Sequence, residues 1–439
     1  MTAGTGTRAR VRAVVALGLP ALAVLAAEPL YVLVDTAVVG HLGRVPLAAL
    51  ALGGTVLSLA AMLGSFLAYG TTGRAARLYG AGRRADAVRE GVQASWLAVA
   101  LGVAFVVVVQ LVAHPLLGLL AGGGADSAAV RAAAEQWLRI AVLGAPGILL
   151  SLAGNGWMRG VQDTARPLRY VLAGNLLSAV LGPLLVYPVG LGLTGSAVAN
   201  VAAQAVAAVL FLRALRAEGV SLRPDPHLIR QQLAVGRDLT LRTVSMHACF
   251  VSAAAVAARF GAAQLGAHQI ALQLWFSLAL VLDSVAIAAQ SLVGAALGAG
   301  RADDARGTAW TVGWLGGALG TLSGALLLAG THAVPRLFTA DAGVLHQAAV
   351  VWPWFALMQP VAGVVFALDG VLIGAGDTRF MRDVTLVSTL GGFLPAVWIA
   401  YALDLGLVGV WAGLMLFVVI RLVGMTVRVA RGRWAVVGA

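Results

Sequence analysis

The chain has 439 residues, 60% of them hydrophobic and only 11% charged, with a mean hydropathy of +0.91 and a formal net charge of +12. That leaves too little polar surface to coat a water-soluble globule of this size, so the composition excludes a soluble enzyme or binding module. The single cysteine, Cys249, excludes an internal disulfide and reads as a small buried side chain. There is no lysine, and the abundance of Ala, Gly and Arg reflects a GC-rich genome rather than a mechanism.

Apolar runs recur along the whole length, many near the roughly 20 residues that cross a bilayer as helix. The alternating ten-residue pattern of a membrane barrel is missing. Twelve spans are predicted in chain order, over 12–41, 46–73, 90–119, 129–158, 168–188, 193–215, 233–258, 264–296, 307–330, 344–373, 381–403 and 408–430. Arginines before the first run resemble a signal peptide, but the run is too long for one and carries Glu28 and Asp35, so it reads as a retained span. Arginines also set the orientation. They cluster before span one and after every even-numbered span, from Arg8 through Arg74, Arg166, Arg223 and Arg301 to Arg433. The opposite connections hold chiefly Arg44, Arg131, Arg259 and Arg336. The positive-inside rule then puts both termini in the cytoplasm, and the expected location is a bacterial cell membrane. The net charge is explained by these short flanking segments and does not imply nucleic acid as a partner.

The chain repeats itself. Gly80-Ala81-Gly82-Arg83 returns as Gly298-Ala299-Gly300-Arg301, 218 positions later. Gly160-Val161-Gln162-Asp163-Thr164 returns as Gly374-Ala375-Gly376-Asp377-Thr378 at an offset of 214, as Leu191-Gly192-Leu193-Thr194-Gly195 does at Leu405-Gly406-Leu407-Val408-Gly409. An offset of six helices, an even number, keeps corresponding helices parallel and places the pseudo-twofold axis along the membrane normal. The expected fold is an all-α integral membrane protein of twelve transmembrane helices in two six-helix lobes. The lobes are expected at 1–215 and 238–439, joined by a cytoplasmic segment at 216–237 that contains Pro224 and Pro226.

Three stretches carry a family resemblance: Asp35-Thr36-Ala37-Val38-Val39-Gly40-His41-Leu42-Gly43, Arg159–Thr164 followed by Pro167-Leu168, and Asp369-Gly370-Val371-Leu372-Ile373-Gly374. Together they resemble the multidrug and toxic compound extrusion (MATE) transporters, most closely the DinF-type branch. The resemblance implies a two-lobe exporter that moves organic, often cationic, compounds outward against inward protons or sodium ions. It also implies a coupling aspartate in span one, with a proline fifteen positions earlier marking a bend. Asp35 and Pro20 match that spacing.

Intramembrane carboxylates are few, and each costs on the order of 2.5–3.5 kcal/mol at mid-bilayer, so each needs a partner or a function. Asp35 is the leading candidate for proton or cation coupling, since an acid facing first one compartment and then the other exchanges its cation with each. Glu28 lies two helical turns earlier on nearly the same face. Pro20 and Pro29 each remove a backbone donor and can bend span one. Asn155, Asn175 and Asn200 offer amide oxygens in the same half, Asn155 and Asn175 being the coupling candidates, although interhelical hydrogen bonding would use them equally well. Some archaeal members of the family it resembles place an additional aspartate in span five; here no acid lies between Pro167 and Gly190, which argues against a two-carboxylate site of that kind.

The second half differs, because Asp35 and Glu28 correspond at the 218 offset to Ala253 and Met246. Its carboxylates are Asp283 and Asp369, candidates for a second cation or substrate site, Asp369 corresponding to Asn155 at the 214 offset. Gln269, Gln273, Trp275 and Phe276 are candidate cavity lining. His247 and His268 add polarity without metal-ligand spacing, so no metal and no cofactor is expected. The expected function is secondary efflux of small organic, cationic or amphipathic compounds by a monomer in the lipid bilayer, coupled to H+ or Na+. A lipid or lipid-linked oligosaccharide flippase would need a strongly basic central cavity. A membrane-embedded prenyl transferase would need paired Asp-rich motifs, and Asp303-Asp304 is the only adjacent pair.

Overall fold

The computed structural model describes residues 6–120 and 126–438, and among them it is helical throughout, with no strand. Twelve helices are long and apolar enough to cross a membrane. We number them α1 (Thr7–Gly40), α2 (Arg44–Gly80), α3 (Arg84–Leu120), α4 (Ser127–Gly160), α5 (Ala165–Val186), α6 (Leu193–Ala217), α7 (Pro226–Phe260), α8 (Ala262–Gly298), α9 (Ala302–Ala329), α10 (Ala342–Gly374), α11 (Thr378–Ala402) and α12 (Gly406–Ala430). Most run past the apolar stretches that announce them, because once a helix is nucleated its polar ends continue it at little cost. Thus α2 carries Arg74 and Arg77 in its last two turns, and α7 begins at Pro226, seven residues before the expected span. Proline suits that first helical position, and the Asp225 carboxylate caps it by accepting from the backbone N–H of His227 (2.9 Å) and Leu228 (3.3 Å).

Two of the three repeated pairs prove to be helix-ending turns, and the third, at Leu191–Gly195 and Leu405–Gly409, leads into α6 and α12. After α2, the Gly82 and Arg83 N–H groups donate to the carbonyls of Tyr79 and Leu78, closing the paired bonds of a Schellman turn with Gly82 at φ +77°. The same turn follows α8 at Gly300 (φ +75°) and α10 at Gly376 (φ +75°). After α4 the left-handed position is occupied by Gln162 (φ +62°), a side chain where the other three turns have glycine. The Asp-Thr pairs that follow shape the turns: Asp163 accepts from the Arg166 backbone N–H (3.0 Å) and pairs with its guanidinium, and Asp377 pairs with Arg428 (2.7 Å).

Two compact units divide the chain within α1, after Leu22, and within α7, after Gly236. The expected lobes, 1–215 and 238–439, therefore differ from the observed division at α1. At 34 residues α1 is about 50 Å long, and its portion up to Leu22 packs with the second half. There Gly18 lies against the Ser284 carbonyl, and Arg10 approaches Asp304 at 3.6 Å. The expected connecting segment at 216–237 is helical at both ends, leaving only 218–225 between α6 and α7.

In the unit Ala23–Gly236, small residues let helix backbones approach closely. A Cβ on Gly156 would sit 2.8 Å from the carbonyl oxygens of Leu67 and Ala68, so α2 and α4 touch along their backbones. Buried Trp137 and Trp157 pack against Gly53 of α2 and Gly91 of α3, where a Cβ would collide with each ring. In the other unit α9 and α10 cross at Gly316 and Gly363, where a Cβ on Gly363 would lie 2.0 Å from the Gly316 oxygen. Two helices leave the regular α pattern, α4 at a 3-10 turn over Val142–Gly144 and α11 at a π-helical turn over Ser388–Phe393. Cys249 is buried beside that π turn, its thiol 3.5 Å from the Thr389 hydroxyl.

Candidate coupling and substrate sites

In the unit Ala23–Gly236, the part of α1 from Ala23 to Gly40 hydrogen-bonds to α5, to the residue that follows it and to α6, while Val39 packs in the core with α2, α3 and α4. Asn175 donates its amide N–H to the Ala27 carbonyl (2.9 Å), and the Tyr187 hydroxyl donates to the Val38 carbonyl (2.6 Å). Between these two anchors lies Asp35, half-buried, whose carboxylate accepts from the Ser196 hydroxyl at 2.7 Å. Ser196 is fully buried and itself accepts a long bond from the Trp137 indole N–H (3.4 Å). One turn before Asp35, buried Tyr31 accepts from the Asn200 amide (2.8 Å). Spacings of four on α1 (residues 31 and 35) and on α6 (196 and 200) put both contacts on one face of each helix.

No arginine pairs with Asp35 among the described residues; its partner is a neutral hydroxyl. A carboxylate in that setting can take up and release a cation without breaking an ion pair. Glu28 is exposed, on the turn preceding Tyr31. Asn155 is buried on α4, and the amide oxygens of Asn155 and Asn200 have no hydrogen-bond partner among the described residues. Asn175 is committed to the α1 backbone two residues before Pro29. Pro20 and Pro29 lie within α1, which is continuous α-helix from Thr7 to Gly40. Sequence reasoning passed over Tyr31 and Ser196. The 28–31–35 spacing on one helix face carried a signal for Tyr31, whereas Ser196 lies 161 residues from its partner with no local cue.

The second unit contrasts with this arrangement. Asp369, buried on α10, receives Arg421 of α12 on both carboxylate oxygens (2.7 Å each) and Arg242 of α7 on Oδ2 (2.7 Å). The expectation of a cation site at Asp369 thus meets a carboxylate already held by two guanidinium groups. The physical reason is the cost of an ionised acid inside a helical bundle, which a charged partner offsets. Both arginines were legible as isolated charges inside apolar spans, a signal obscured when carboxylates alone are considered. Trp275 is buried and packs edge-on to Phe366 (6.4 Å). Gln269, Gln273 and Phe276 share an exposed face of α8, Phe276 lying 5.3 Å from Phe250. Asp283 is half-buried on the same helix. His268 is fully buried against Trp411. Among the described residues no group of three or more His, Cys, Asp or Glu side chains could hold a metal ion.

Comparison with known proteins agrees with this architecture. The MatE family model matches residues 20–184 and again 240–398, one match in each half. The chain is 35% identical over 423 residues to Protein DETOXIFICATION 44, chloroplastic, of Arabidopsis thaliana, covering 93% of this chain and 80% of that protein. It is 31% identical to DNA damage-inducible protein F of Escherichia coli (strain K12), covering 92% of this chain and 89% of that one. A crystal structure of MATE in the bent conformation superposes with a TM-score of 0.88 at 23% identity, covering 98% of this chain and 95% of that one, a likeness of fold. The chain therefore belongs to the MATE family, of the DinF type, and is a multi-pass membrane transporter of the multidrug efflux class rather than an enzyme.

Proposed function

We propose that the protein exports small amphipathic organic compounds by alternating access, as a monomer, with Asp35 carrying the coupling cation inward. The observation that supports this reading is the setting of Asp35, an acid in an apolar helix whose one hydrogen-bond donor among the described residues is the neutral Ser196 hydroxyl. An acid held by an arginine keeps its charge through the cycle, whereas an acid facing a hydroxyl can be neutralised by a proton and re-ionised. Tyr31 and Asn200 supply the polar surroundings, with Glu28 as an outer member of the same helix face; Asn155 lies deeper along α4, level with Phe211 rather than Asn200. Pro20 and Pro29 leave carbonyls of α1 without helical donors, so this helix can change its curvature more cheaply than its neighbours.

The coupling cation is a proton or a sodium ion, and the two are separated by imposing each gradient alone on proteoliposomes. The arginine distribution supports cytoplasmic termini, and the membrane proposed is a bacterial cell membrane. A labelled lipophilic substrate should be driven out by one of the two gradients. The assignment to Asp35 fails if Asp35→Asn exports at the wild-type rate under both.

A further inference from the structure

We infer that the unit Ala23–Gly236 carries a site for one anionic phospholipid, in a groove between α3, α4 and α6 at the end where α3 begins and α6 finishes. The groove encloses about 300 Å³, the lower end of the range of small-molecule pockets. Its walls are apolar side chains, Val99 of α3, Leu150 of α4 and Val209 and Leu212 of α6. Leu150 is buried at its floor, whereas Val209 and Leu212 are 53% and 37% exposed, so the groove opens toward the outer surface of an apolar bundle. A space of that kind, on a helix face that meets lipid, suits an acyl chain.

The charged end is supplied by α6. Arg213 and Arg216 both line the groove, and their spacing of three puts them on one face of the helix. Both are exposed, and neither has an ion pair among the described residues. That sets them apart from their neighbours at the same end. Arg83 and Arg89 pair with Asp86, and Arg84 and Arg166 share Glu218, which leaves the acid nearest Arg216 already engaged. Two free guanidinium groups at the mouth of an apolar groove complement a phosphate joined to an acyl chain, since each presents a fork of donors that a phosphate can accept.

The groove is also built to keep its shape. The Trp96 indole N–H donates to the Leu222 carbonyl (2.9 Å), and both residues line the groove. One turn earlier, buried Gln93 donates to the Arg223 carbonyl (3.2 Å) and accepts from the Asp225 N–H (2.8 Å). The connection between α6 and α7 is thereby fastened to α3 and closes the polar end of the groove. Trp96 itself is 46% exposed, an aromatic ring at the level of the arginines, as at a membrane–water boundary. Basic pockets between helices on the cytoplasmic side are where anionic lipid heads are held. The leaflet follows from the arginine-based orientation, whereas binding depends neither on it nor on export.

Native mass spectrometry of the purified full-length protein in detergent tests this with dioleoyl phosphatidylglycerol, dioleoyl phosphatidylcholine and glycerol phosphate. The first two share their chains and differ in head charge, and the third is a head without chains. Phosphatidylglycerol should bind at least fivefold more tightly than phosphatidylcholine, and glycerol phosphate should bind more weakly than phosphatidylglycerol. The double variant Arg213→Gln/Arg216→Gln, at two exposed positions that should leave folding intact, should lose at least fivefold in phosphatidylglycerol affinity and keep its affinity for phosphatidylcholine. Arg213→Lys/Arg216→Lys should restore part of the loss. Arg301→Gln/Arg306→Gln removes the same charge from the other unit and should leave the preference in place. Equal affinity of the wild-type protein for the two lipids overturns the inference, as does a loss of equal size in the Arg301/Arg306 control, which would mean diffuse attraction to a basic protein. Glycerol phosphate bound as tightly as phosphatidylglycerol would make the ligand a free phosphate, and a dimer that disappears in Arg213→Gln/Arg216→Gln would give the groove to a second copy of the chain; either result overturns it.

Discussion

Asp35 and Asp369 are both aspartates inside apolar helices, one in each half of a duplicated chain, and their surroundings are opposite in kind. Asp35 faces a serine hydroxyl, with a tyrosine and an asparagine one turn away. Asp369 faces two guanidinium groups that together take both of its oxygens. The first setting tolerates the loss and return of a charge, and the second fixes it. On the reading proposed above, the duplicated scaffold serves two electrostatic purposes, in keeping with the lack of an acid at Ala253 and Met246.

The same substitution at the two positions should break this comparison open. Asp369→Asn leaves two buried arginines without their carboxylate, and should destabilise the protein by about 3–5 kcal/mol, the usual cost of removing one partner of a buried ion pair. Asp35→Asn keeps a hydrogen-bond acceptor for Ser196 and should change stability by less than about 1 kcal/mol. Thermal unfolding of both purified variants in one detergent reads the difference. Equal losses would mean that the two acids are both structural. Next in size, Gly363→Ala places a methyl group where the Gly316 carbonyl lies, and overpacking should cost on the order of 3 kcal/mol in the same assay. Ser196→Ala removes the one donor to Asp35 among the described residues and should cost about 1 kcal/mol in stability. Its effect on transport should exceed its effect on folding, with turnover falling several-fold. Smallest, Gln162→Gly relieves a left-handed side-chain residue and should stabilise by about 1 kcal/mol, while Gly376→Ala at the related turn should destabilise by a similar amount.

Much of the fold was legible in the sequence because membranes restrict the alternatives. Length and hydropathy limit the chain to spanning helices, and twelve such helices are present among the described residues. The repeated Gly-rich motifs announced themselves as paired features, and in three of the four helix-ending turns among them the left-handed residue is glycine. What could not be read was long-range pairing. Ser196 and Asn200 are ordinary residues of a small-residue helix until α6 lies beside α1, more than 160 positions away in the chain. The division within α1 was hidden for a similar reason, since hydropathy is uniform across Leu22 and carries no sign of which neighbours each half of the helix will meet. Arg242 and Arg421 were visible as charges, but only folding shows that both converge on Asp369 and leave a positive excess.

The most direct test of coupling at Asp35 is export of a labelled lipophilic substrate from proteoliposomes, with a proton gradient and a sodium gradient imposed separately. The expected result is that wild-type protein responds to one of them and that folded Asp35→Asn falls at least about a hundredfold, to the passive leak, a loss of some 2.7 kcal/mol in the driven step. Gradient-driven export by Asp35→Asn at the wild-type rate would contradict it.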